Sequence, residues 1–432
     1  MWGSIEWILP ACKYLNDHYD NVKIVFLILR ERKNEIFKDN HELEGLTIEV
    51  SSKECVDLYH FLPGWVVYSL NFMGWLGRKM PGVLSRLSRK AHPHWFKLNW
   101  HIFGTKRFRR WIDKIQPTLA LMDSDGYGVF RELKRKEINI GFFLTSPSFA
   151  FSPIVWVDKD KRRLMYLHSP FDFFLVDTKW AADFFKGIAG ERPVFEVGCP
   201  KFDTFWINYL KEKSDFGLND SREHDFKHIL VLLKNESSII FKYIDFREAL
   251  AEIIDSCLKI KNVHLTLKPH PRQNMILLKE IVSQYPGGRI TVSNEPSFVL
   301  INKSDLIIAF PNGVIIDALI LRRPVVEYFD YIKLNRILKD EFGQIPTGIL
   351  GGMSYLDING SLTSVFRGLG LVLEANKQDE LEPLIIKLIN SDVSPEVKDI
   401  RNIFPDDGSK RAAETILSMA HYDKSKFYRL II

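Results

Sequence analysis

Residues 305–329 read DLIIAFPNGVIIDALILRRPVVEYF, and the fold follows from this stretch. Its first six residues are an apolar run after one acid, which predicts a buried strand. The turn Pro311-Asn312-Gly313 follows at once and opens a helical pattern, and residues 324–329 predict the next strand. A strand, a helix and a second strand at this spacing are typical of a parallel α/β sheet.

The same alternation extends in both directions along the chain. Apolar or β-branched runs predict further strands at residues 22–29, 46–52, 117–126, 138–146, 172–178, 194–200, 228–235, 264–272, 290–294 and 370–376. Amphipathic spacing predicts helices at residues 3–15, 131–136, 179–185, 245–258, 297–303, 380–389 and 406–420, and a longer helical stretch at 59–115.

A polar segment at residues 210–225 has the composition of a linker. We therefore expect an N-terminal Rossmann-like domain at 1–210, with the helical stretch at about 59–115 as an insert, and a C-terminal Rossmann-like domain at 226–405. Residues 406–432 are predicted as a C-terminal helix. The predicted fold class is α/β, with two Rossmann-like domains facing across a cleft.

The order of elements at the start of the sequence is unusual for such a domain. A doubly wound domain begins with a strand whose carboxyl end feeds the first helix, whereas this sequence opens on a helix. Either that first strand is missing before Met1, or Met1-Trp2 is its stub.

The overall composition excludes several classes of protein. Of the 432 residues, 46% are hydrophobic and 26% charged, which is globular usage and excludes disordered, collagen-like and coiled-coil chains. The net charge of +5 is too small to indicate a nucleic-acid partner. Four scattered cysteines fit a reducing cytoplasm and predict neither a disulfide framework nor a CxxC metal site. No apolar run is long enough for a membrane-spanning helix, and no secretory signal is recognisable.

Positive charge is concentrated in one segment. Residues 78–112 hold ten Lys and Arg and no acid, interleaved with Trp and Phe. One interpretation is an amphipathic element that contacts an anionic membrane surface. The other is a helical pair that packs its aromatic side chains on the domain. A nucleic-acid surface has no supporting motif.

The pentapeptide Lys268-Pro269-His270-Pro271-Arg272 ends a predicted strand. Ligands of open α/β sheets bind beyond the carboxyl ends of the strands, and the two prolines stiffen the turn there. An Arg fork and a His donor suit phosphate or pyrophosphate. The alternative is a stiffened turn with an incidental His.

The turn Pro311-Asn312-Gly313 is the second candidate, because Gly313 permits close approach of a ligand and a helix start attracts anions. Asp317 lies one turn into that helix, where its carboxylate suits ribose hydroxyls. An ordinary strand-to-helix turn with a favourable acid in its first turn explains the same residues.

The third candidate is Asp123-Ser124-Asp125-Gly126, after a strand of the first half. A carboxylate there suits a general base for an acceptor hydroxyl, and Asp125 is the better choice because Gly126 directly follows it. Asp and Gly are also common in any such turn. P-loop, dinucleotide-binding and GxSxG signatures do not occur in the sequence.

Together these segments resemble a known superfamily. KPHPRQN and SNEPSFVLINKSDLIIAFPNGVIIDALILRRPVVEY are similar to the C-terminal half of GT-B glycosyltransferases and their relatives. These relatives include UDP-N-acetylglucosamine 2-epimerases, CDP-glycerol glycerophosphotransferases and bacterial sialyl- and Kdo-transferases. VFEVGCPKFD and PTLALMDSDG resemble segments of the N-terminal half. The likeness is carried motif by motif over most of residues 117–420.

The resemblance implies roles for single residues. His270-Pro271 matches the His-Pro motif that binds the CMP donor in the sialyltransferase-like families, and Ser124-Asp125-Gly126 keeps one acid and the Gly of their acidic motif. In the epimerases a Ser-Gly-Gly turn binds phosphate, and a Glu on the next helix binds ribose. Gly313 and Asp317 take those places. The segment 143–153 lacks the acids that the epimerases use after the acidic strand.

From this we predict a metal-independent GT-B glycosyltransferase or polyol-phosphate transferase of bacterial surface polysaccharide synthesis. Its donor is a nucleotide sugar or CDP-polyol, and its acceptor is lipid-linked or a polysaccharide. No cofactor, metal site or nucleic-acid partner is expected, and the location is cytoplasmic with peripheral contact to an anionic membrane. The predicted catalytic residues are Asp125 and His270, and the predicted donor-binding residues are Lys268, His270, Arg272, Asn312, Gly313 and Asp317. A sugar-nucleotide epimerase or hydrolase and a catalytically degenerate scaffold are the alternatives.

Overall fold

The structure is a computed structural model of the 432-residue chain. It describes residues 2–28, 41–51, 55–79, 83–122, 128–144, 155–156, 169–212, 226–285, 287–345, 354–357, 359–390, 397–404 and 406–432. The chain forms two compact units. Unit 1 comprises Met1–Ser146, Arg163–Trp206 and Asp407–Ile432, and unit 2 comprises Pro147–Arg162 and Ile207–Asp406.

Unit 1 is built on a seven-stranded parallel sheet. Its strands are β1 (Val22–Ile28), β2 (Cys55–Asp57), β3 (Leu119–Met122), β4 (Asn139–Phe143), β6 (Phe173–Val176), β7 (Val194–Glu196) and β16 (Tyr428–Ile431). They lie in the order β2-β1-β16-β3-β4-β6-β7. The strands predicted at 22–29, 117–126, 138–146, 172–178 and 194–200 are confirmed as β1, β3, β4, β6 and β7, whereas β2 and β16 were not predicted. β3 and β6 are buried along their whole length.

The centre of this sheet is occupied by the last strand of the sequence. β16 pairs in parallel with β1 on one side and β3 on the other, with Ile24 opposite Leu430. Trp2 is helical, so the expectation of a stub strand at Met1-Trp2 is wrong. Residues 428–431 thus occupy the place between β1 and β3. Residues 407–432 belong to unit 1 and form a helix followed by a strand, so the prediction of a helix alone at 406–432 was incomplete.

The helices of unit 1 are α1 (Trp2–His18), α2 (His41–Val50), α3 (Gly64–Lys79), α4 (Val83–Asn99), α5 (Thr105–Ile115), α6 (Val129–Lys134), α7 (Lys179–Ala189) and α16 (Gly408–Met419), and α8 (Thr204–Glu212) leads from unit 1 into unit 2. A π-helical turn, Trp100–Gly104, joins α4 to α5. The strand predicted at 46–52 is wrong, because these residues mostly lie in α2. Leu46, Thr47 and Val50 of α2 are buried at helical spacing, which outweighs the β-branched character of Thr47 and Val50.

A long-range cap fixes the start of α16. Asp407, the residue before the helix, has a positive φ of 70° and makes no side-chain cap bond. The buried carboxylate of Asp203 takes this role and accepts hydrogen bonds from the backbone N–H groups of Gly408 (2.7 Å) and Ser409. The cap therefore ties the C-terminal helix α16 to the segment that follows β7, the edge strand of the unit 1 sheet.

Unit 2 is built on a six-stranded parallel sheet. Its strands are β8 (Lys227–Leu232), β9 (Val263–Lys268), β10 (Ile290–Val292), β11 (Leu306–Ala309), β12 (Val325–Tyr328) and β15 (Leu373–Ala375). They lie in the order β10-β9-β8-β11-β12-β15. The first three strands run outward from β8 in one direction and the last three in the other, which is the doubly wound arrangement.

A small antiparallel sheet adds to unit 2 and was not predicted. It is formed by β5 (Val155–Trp156), β13 (Ser354–Asp357) and β14 (Leu362–Ser364), in the order β14-β13-β5. The strand β5 thus joins a unit whose other strands all follow residue 226, whereas the sequence placed residues 1–210 in one domain.

The helices of unit 2 are α9 (Phe246–Leu258), α10 (Met275–Val282), α11 (Ser297–Lys303), α12 (Ile315–Ile320), α13 (Tyr331–Phe342), α14 (Val365–Gly368) and α15 (Gln378–Asn390). Four of these, α9, α10, α13 and α15, cover one face of the sheet in a single apolar cluster. Among the described residues no helix is long and apolar enough to cross a membrane.

Candidate functional site

The sheet of unit 2 has a topological switch point between β8 and β11. The chain leaves β8 toward β9 and β10, and returns to β11 on the other side of β8. In open α/β sheets, ligands bind beyond the carboxyl ends of the strands at such a point. The segments after β8, β9 and β11 hold most of the predicted donor-binding residues.

The loop after β9 is held by hydrogen bonds to its neighbour after β8. The Glu236 carboxylate accepts from Gln273 Nε2 at 2.6 Å and from the backbone N–H of Asn274 at 3.2 Å. Within the loop, the N–H of Gln273 donates to the carbonyl of His270 at 2.8 Å. Pro269 is buried, so both ends of the loop are fixed and His270 has a defined position.

The hydrogen bonds of His270 define which ring nitrogen carries its proton. Nδ1 accepts from the backbone N–H of Arg272 at 3.1 Å, so the neutral ring carries its proton on Nε2. Burial lowers the pKa of His270 below its usual value, and the positive charges of Arg272 and Lys234 lower it further, against a smaller effect of Glu236. At neutral pH His270 is therefore a neutral Nε2–H donor.

The turn after β11 is stabilised by the side chain of Asn312. Its Nδ2 donates to the carbonyls of Phe310 (2.8 Å) and Leu232 (3.3 Å), and its Oδ1 accepts from the N–H of Val314 at 2.9 Å. Asn312 therefore joins β8 to the turn after β11 and positions Gly313, which is exposed. Its role as a direct donor ligand stays a prediction.

The helix after this turn is shorter than its sequence pattern indicated. It begins at Ile315 and spans six residues, so its dipole is small and gives little support for an anion at Gly313. Asp317 lies in the first turn of α12 and is half-buried. Its ribose-binding role remains a prediction.

A buried lysine that the sequence analysis missed lies at the switch point. Lys234 follows β8, is 9% exposed, and its ammonium donates to the carbonyl of Pro311 at 2.6 Å. Burial lowers its pKa to about 8, and the carboxylate of Glu327 opposes this shift. The sequence did contain an indication of this lysine, because Lys234 directly follows an apolar strand. Lysine is rarely buried, and a buried lysine often has a functional role.

Glu327 of β12 and Arg367 of α14 form a buried ion pair near Lys234. Arg367 Nε donates to Glu327 Oε1 at 2.8 Å, and the same guanidinium donates to the carbonyls of Phe329 and Ala375 at 3.1 Å. Burial raises the pKa of Glu327, and Arg367, Ser364 and Lys234 counteract it. Glu327 Oε2 has no partner of hydrogen-bond geometry among the described residues, although the Ser364 hydroxyl lies close.

Lys268 and Arg272 differ from His270 in their surroundings. The ammonium of Lys268 donates to the carbonyl of Asn294, in the loop after β10, at 2.9 Å, and burial lowers its pKa. Lys268 is thus engaged on the side of β9 away from β8. Arg272 is exposed. The structure therefore places Asn312 and Lys234 together at the junction of β8 and β11. His270 lies within range of the Lys234 charge, whereas Lys268 is bonded on the side of β10.

The acidic candidate of the first half lies outside the described residues. β3 ends at Met122, and Asp123, Ser124, Asp125 and Gly126 follow in the segment that the structure leaves undescribed. The catalytic role of Asp125 stays a prediction. Among the described residues, no group of three or more His, Cys, Asp or Glu side chains is arranged to hold a metal ion.

Comparison with known proteins gives a likeness in structure. No protein-family model matches the sequence, and no curated protein matches it. A Listeria monocytogenes protein assigned as a UDP-N-acetylglucosamine 2-epimerase is similar with a TM-score of 0.56 and 12% identity, over 99% of this chain and 97% of that chain. The UDP-GlcNAc 2-epimerase of Methanocaldococcus jannaschii has a TM-score of 0.52 and 13% identity, over 92% and 99%. The UDP-GlcNAc 2-epimerase of Neisseria meningitidis, bound to UDP-GlcNAc, has a TM-score of 0.52 and 14% identity, over 97% of this chain and 98% of that chain.

These identities are low, so the likeness establishes the fold alone. The structure agrees with it, because each unit carries a parallel sheet of Rossmann type with helices on its faces. The chain therefore has the α/β GT-B fold that its motifs indicated.

Proposed function

We propose that the chain is a GT-B transferase that takes a nucleotide-activated donor, a nucleotide sugar or a CDP-polyol, and delivers it to a lipid-linked or polysaccharide acceptor of a bacterial surface. The observation that carries the proposal is that the buried Lys234 lies near enough to His270, at the switch point of unit 2, for its charge to lower the pKa of His270. A buried ammonium beside a fixed Nε2–H donor is suited to a diphosphate, whose charge compensates the burial of the lysine.

Four other predicted residues complete this proposed donor site, whereas Lys268 is engaged with the loop after β10. Asn312 holds the turn, Gly313 lets a phosphate approach the backbone, and Asp317 accepts from ribose hydroxyls. Arg272 adds an exposed guanidinium two residues after His270. For Asp125, which lies outside the described residues, we propose the separate role of activating the acceptor hydroxyl. With Lys234, His270 and Arg272 at the phosphates, we propose that no metal or other cofactor is required.

Epimerisation of a sugar nucleotide is the second candidate function. The likeness to UDP-GlcNAc 2-epimerases over nearly the full length of both chains favours it. The segment 143–153, which contains no acid, favours transfer instead, because base catalysis at a sugar carbon needs a carboxylate or a similar group. The two functions differ in one observable: an epimerase needs no acceptor.

A nucleotide panel tests the donor site. We expect one of CMP, CDP, UMP, UDP and GDP, with or without Mg²⁺, to raise the unfolding temperature. A ligand at about 100 times its dissociation constant adds about 2.7 kcal/mol, a shift of several degrees. Incubation with UDP-GlcNAc alone, followed by NMR, then separates the activities, since a new sugar nucleotide without acceptor indicates epimerisation. A folded chain that binds no nucleotide contradicts both and supports a degenerate scaffold.

The affinity for a nucleoside diphosphate is expected to depend on pH through Lys234. The pKa of Lys234 is about 8 in the empty site and rises when the anionic nucleotide binds. Above pH 8, binding of the nucleotide is therefore coupled to protonation of Lys234. The dissociation constant is then expected to rise roughly tenfold per pH unit above about pH 8, by linkage. Calorimetric titration of CDP measures it. Lys234→Arg is the control, because its charge does not titrate in this range, and an identical pH dependence in that variant contradicts the assignment.

A further inference from the structure

The helix α3 has its large aromatic side chains on the outside. Four aromatic residues spaced at 3, 4 and 3 positions form one stripe along it, and all are strongly exposed: Trp65 (56%), Tyr68 (75%), Phe72 (52%) and Trp75 (48%). The rings of Phe72 and Trp75 stack at 6.0 Å. An exposed, continuous aromatic stripe is costly in water and marks an interaction surface.

The opposite face of α3 is the one that packs within unit 1. Val66 and Leu70 are buried, and Ser69 accepts a hydrogen bond from Trp95 Nε1 of α4 at 2.9 Å. On the α3 side, the hairpin of α3 and α4 is therefore closed by small and aliphatic residues. Of the aromatic stripe of α3, Trp65 also contacts the ring of Phe103 edge-on at 5.9 Å, and all four rings remain largely exposed.

The exposed face of α4 combines apolar and basic residues. Val83 (70%), Leu87 (58%) and Leu98 (50%) are exposed, and Lys90 and Lys97 are exposed at positions that share their face. From Leu58 to Ile112 the sequence contains no acidic residue. The surface therefore offers apolar side chains beside positive charge only, which is complementary to a layer that is apolar inside and anionic at its boundary.

The remaining aromatic residues of the segment are structural. Phe96, Trp100 and Phe108 are buried, and the ring of Phe61 contacts Trp100 and Phe108 edge-on at 6.2 and 5.2 Å. The two interpretations of the basic, aromatic segment thus apply to different parts of it. Packing on the domain explains the aromatic residues around the π-helical turn, where Phe103 also contacts the ring of Trp65 edge-on at 5.9 Å. Within the described part of the chain, the stripe of α3 and the outer face of α4 still remain about half exposed or more.

We propose that the outer faces of α3 and α4 dock on an anionic lipid surface, with both helices lying in the plane of the headgroups. Trp and Tyr are favoured at that depth, where the ring is in acyl chains and its polar atom stays hydrated. Exposed lysines contribute the attraction to anionic headgroups. This inference is independent of the donor site, because it concerns residues of unit 1 only.

Vesicle flotation tests the docking with the full chain. We expect binding to vesicles of phosphatidylcholine and phosphatidylglycerol in equal parts, weak binding to pure phosphatidylcholine, and release by salt. The double variant Phe72→Gln/Trp75→Gln is expected to lower the partition coefficient at least tenfold. Lys90→Gln/Lys97→Gln is expected to lower it about 30-fold on the anionic vesicles, since each lysine near such a surface contributes about 1 kcal/mol.

The matched control is Ile332→Gln/Phe342→Gln, which removes two exposed apolar side chains from α13 of unit 2 and is expected to leave binding unchanged. Quenching of Trp fluorescence by brominated lipid, lost in Trp65→Gln/Trp75→Gln, reports insertion of the stripe itself. Failure of the wild-type chain to bind anionic vesicles overturns the proposal. So does lipid binding that the stripe variants retain in full, or a dimer that the stripe variants convert to a monomer while lipid binding is absent.

Discussion

Replacement of Arg367 by Met is expected to lower the free energy of unfolding of unit 2 by about 3–5 kcal/mol, because removing one partner of a buried ion pair leaves the other charge uncompensated. Arg367 and Glu327 have side-chain exposures of 4% and 0%. The guanidinium also bonds to the backbone carbonyls of Phe329 and Ala375, at the ends of β12 and β15. The variant therefore weakens the attachment of two strands as well as the pair.

Urea unfolding, with hydrogen exchange at the amides of β12 and β15 as the local probe, measures this effect. Arg401→Met is the matched control: its ion pair with Asp399 is exposed, so a loss below about 1 kcal/mol is expected. The double variant Arg367→Met/Glu327→Leu should recover part of the loss, since it leaves no buried charge. If Arg367→Met and Arg401→Met lower the free energy of unfolding by the same small amount, Arg367 does not stabilise the sheet.

The substitution His270→Ala is expected to reduce turnover of the donor about 10²- to 10³-fold, the usual cost of removing one preorganised donor from developing charge. The neutral ring offers Nε2–H, while its Nδ1 is held by the N–H of Arg272. Because His270 is only half-buried, the free energy of unfolding should change little.

Single-turnover kinetics with the donor found in the nucleotide panel measures the effect of His270→Ala. His264→Ala is the control on the same strand: this histidine bonds to Thr291 Oγ1 at 2.9 Å, four residues before the strand ends. It should keep nearly full turnover. If His270→Ala and His264→Ala lose activity equally, His270 stabilises the strand and its loop rather than binding the donor.

Much of the fold was predictable because parallel strands buried on both faces form continuous apolar runs. β8 and β11 are of this kind, and both were predicted. The short strand β16 was missed, since four residues carry little periodicity and its partners β1 and β3 lie some 300–400 residues earlier in the chain. The helix α2 was mistaken for a strand because it contains β-branched residues, and its conformation is decided by its packing within unit 1 rather than by local preference.

The candidate site was predictable in part for a similar reason. His270 was recognised because prolines on both sides mark a stiff turn at a strand end. The structural role of Asn312 depends on the Leu232 carbonyl, 80 residues away, and the burial of Lys234 depends on the turn at Pro311. Such contacts arise from the strand order of the sheet, which local sequence does not show.

The place of β16 has a consequence for synthesis. Residues 428–431 complete the sheet of unit 1, so a ribosome must translate all of unit 2 before β1 and β3 have the neighbour between them. Domains normally fold in order as they emerge. Here the nascent N-terminal half presents two unpaired strand edges for the whole of that interval, and such edges are prone to aggregate. Production of this protein is therefore expected to depend on chaperones that bind nascent chains. That dependence should be greater than for a protein whose first domain is complete when it leaves the exit tunnel.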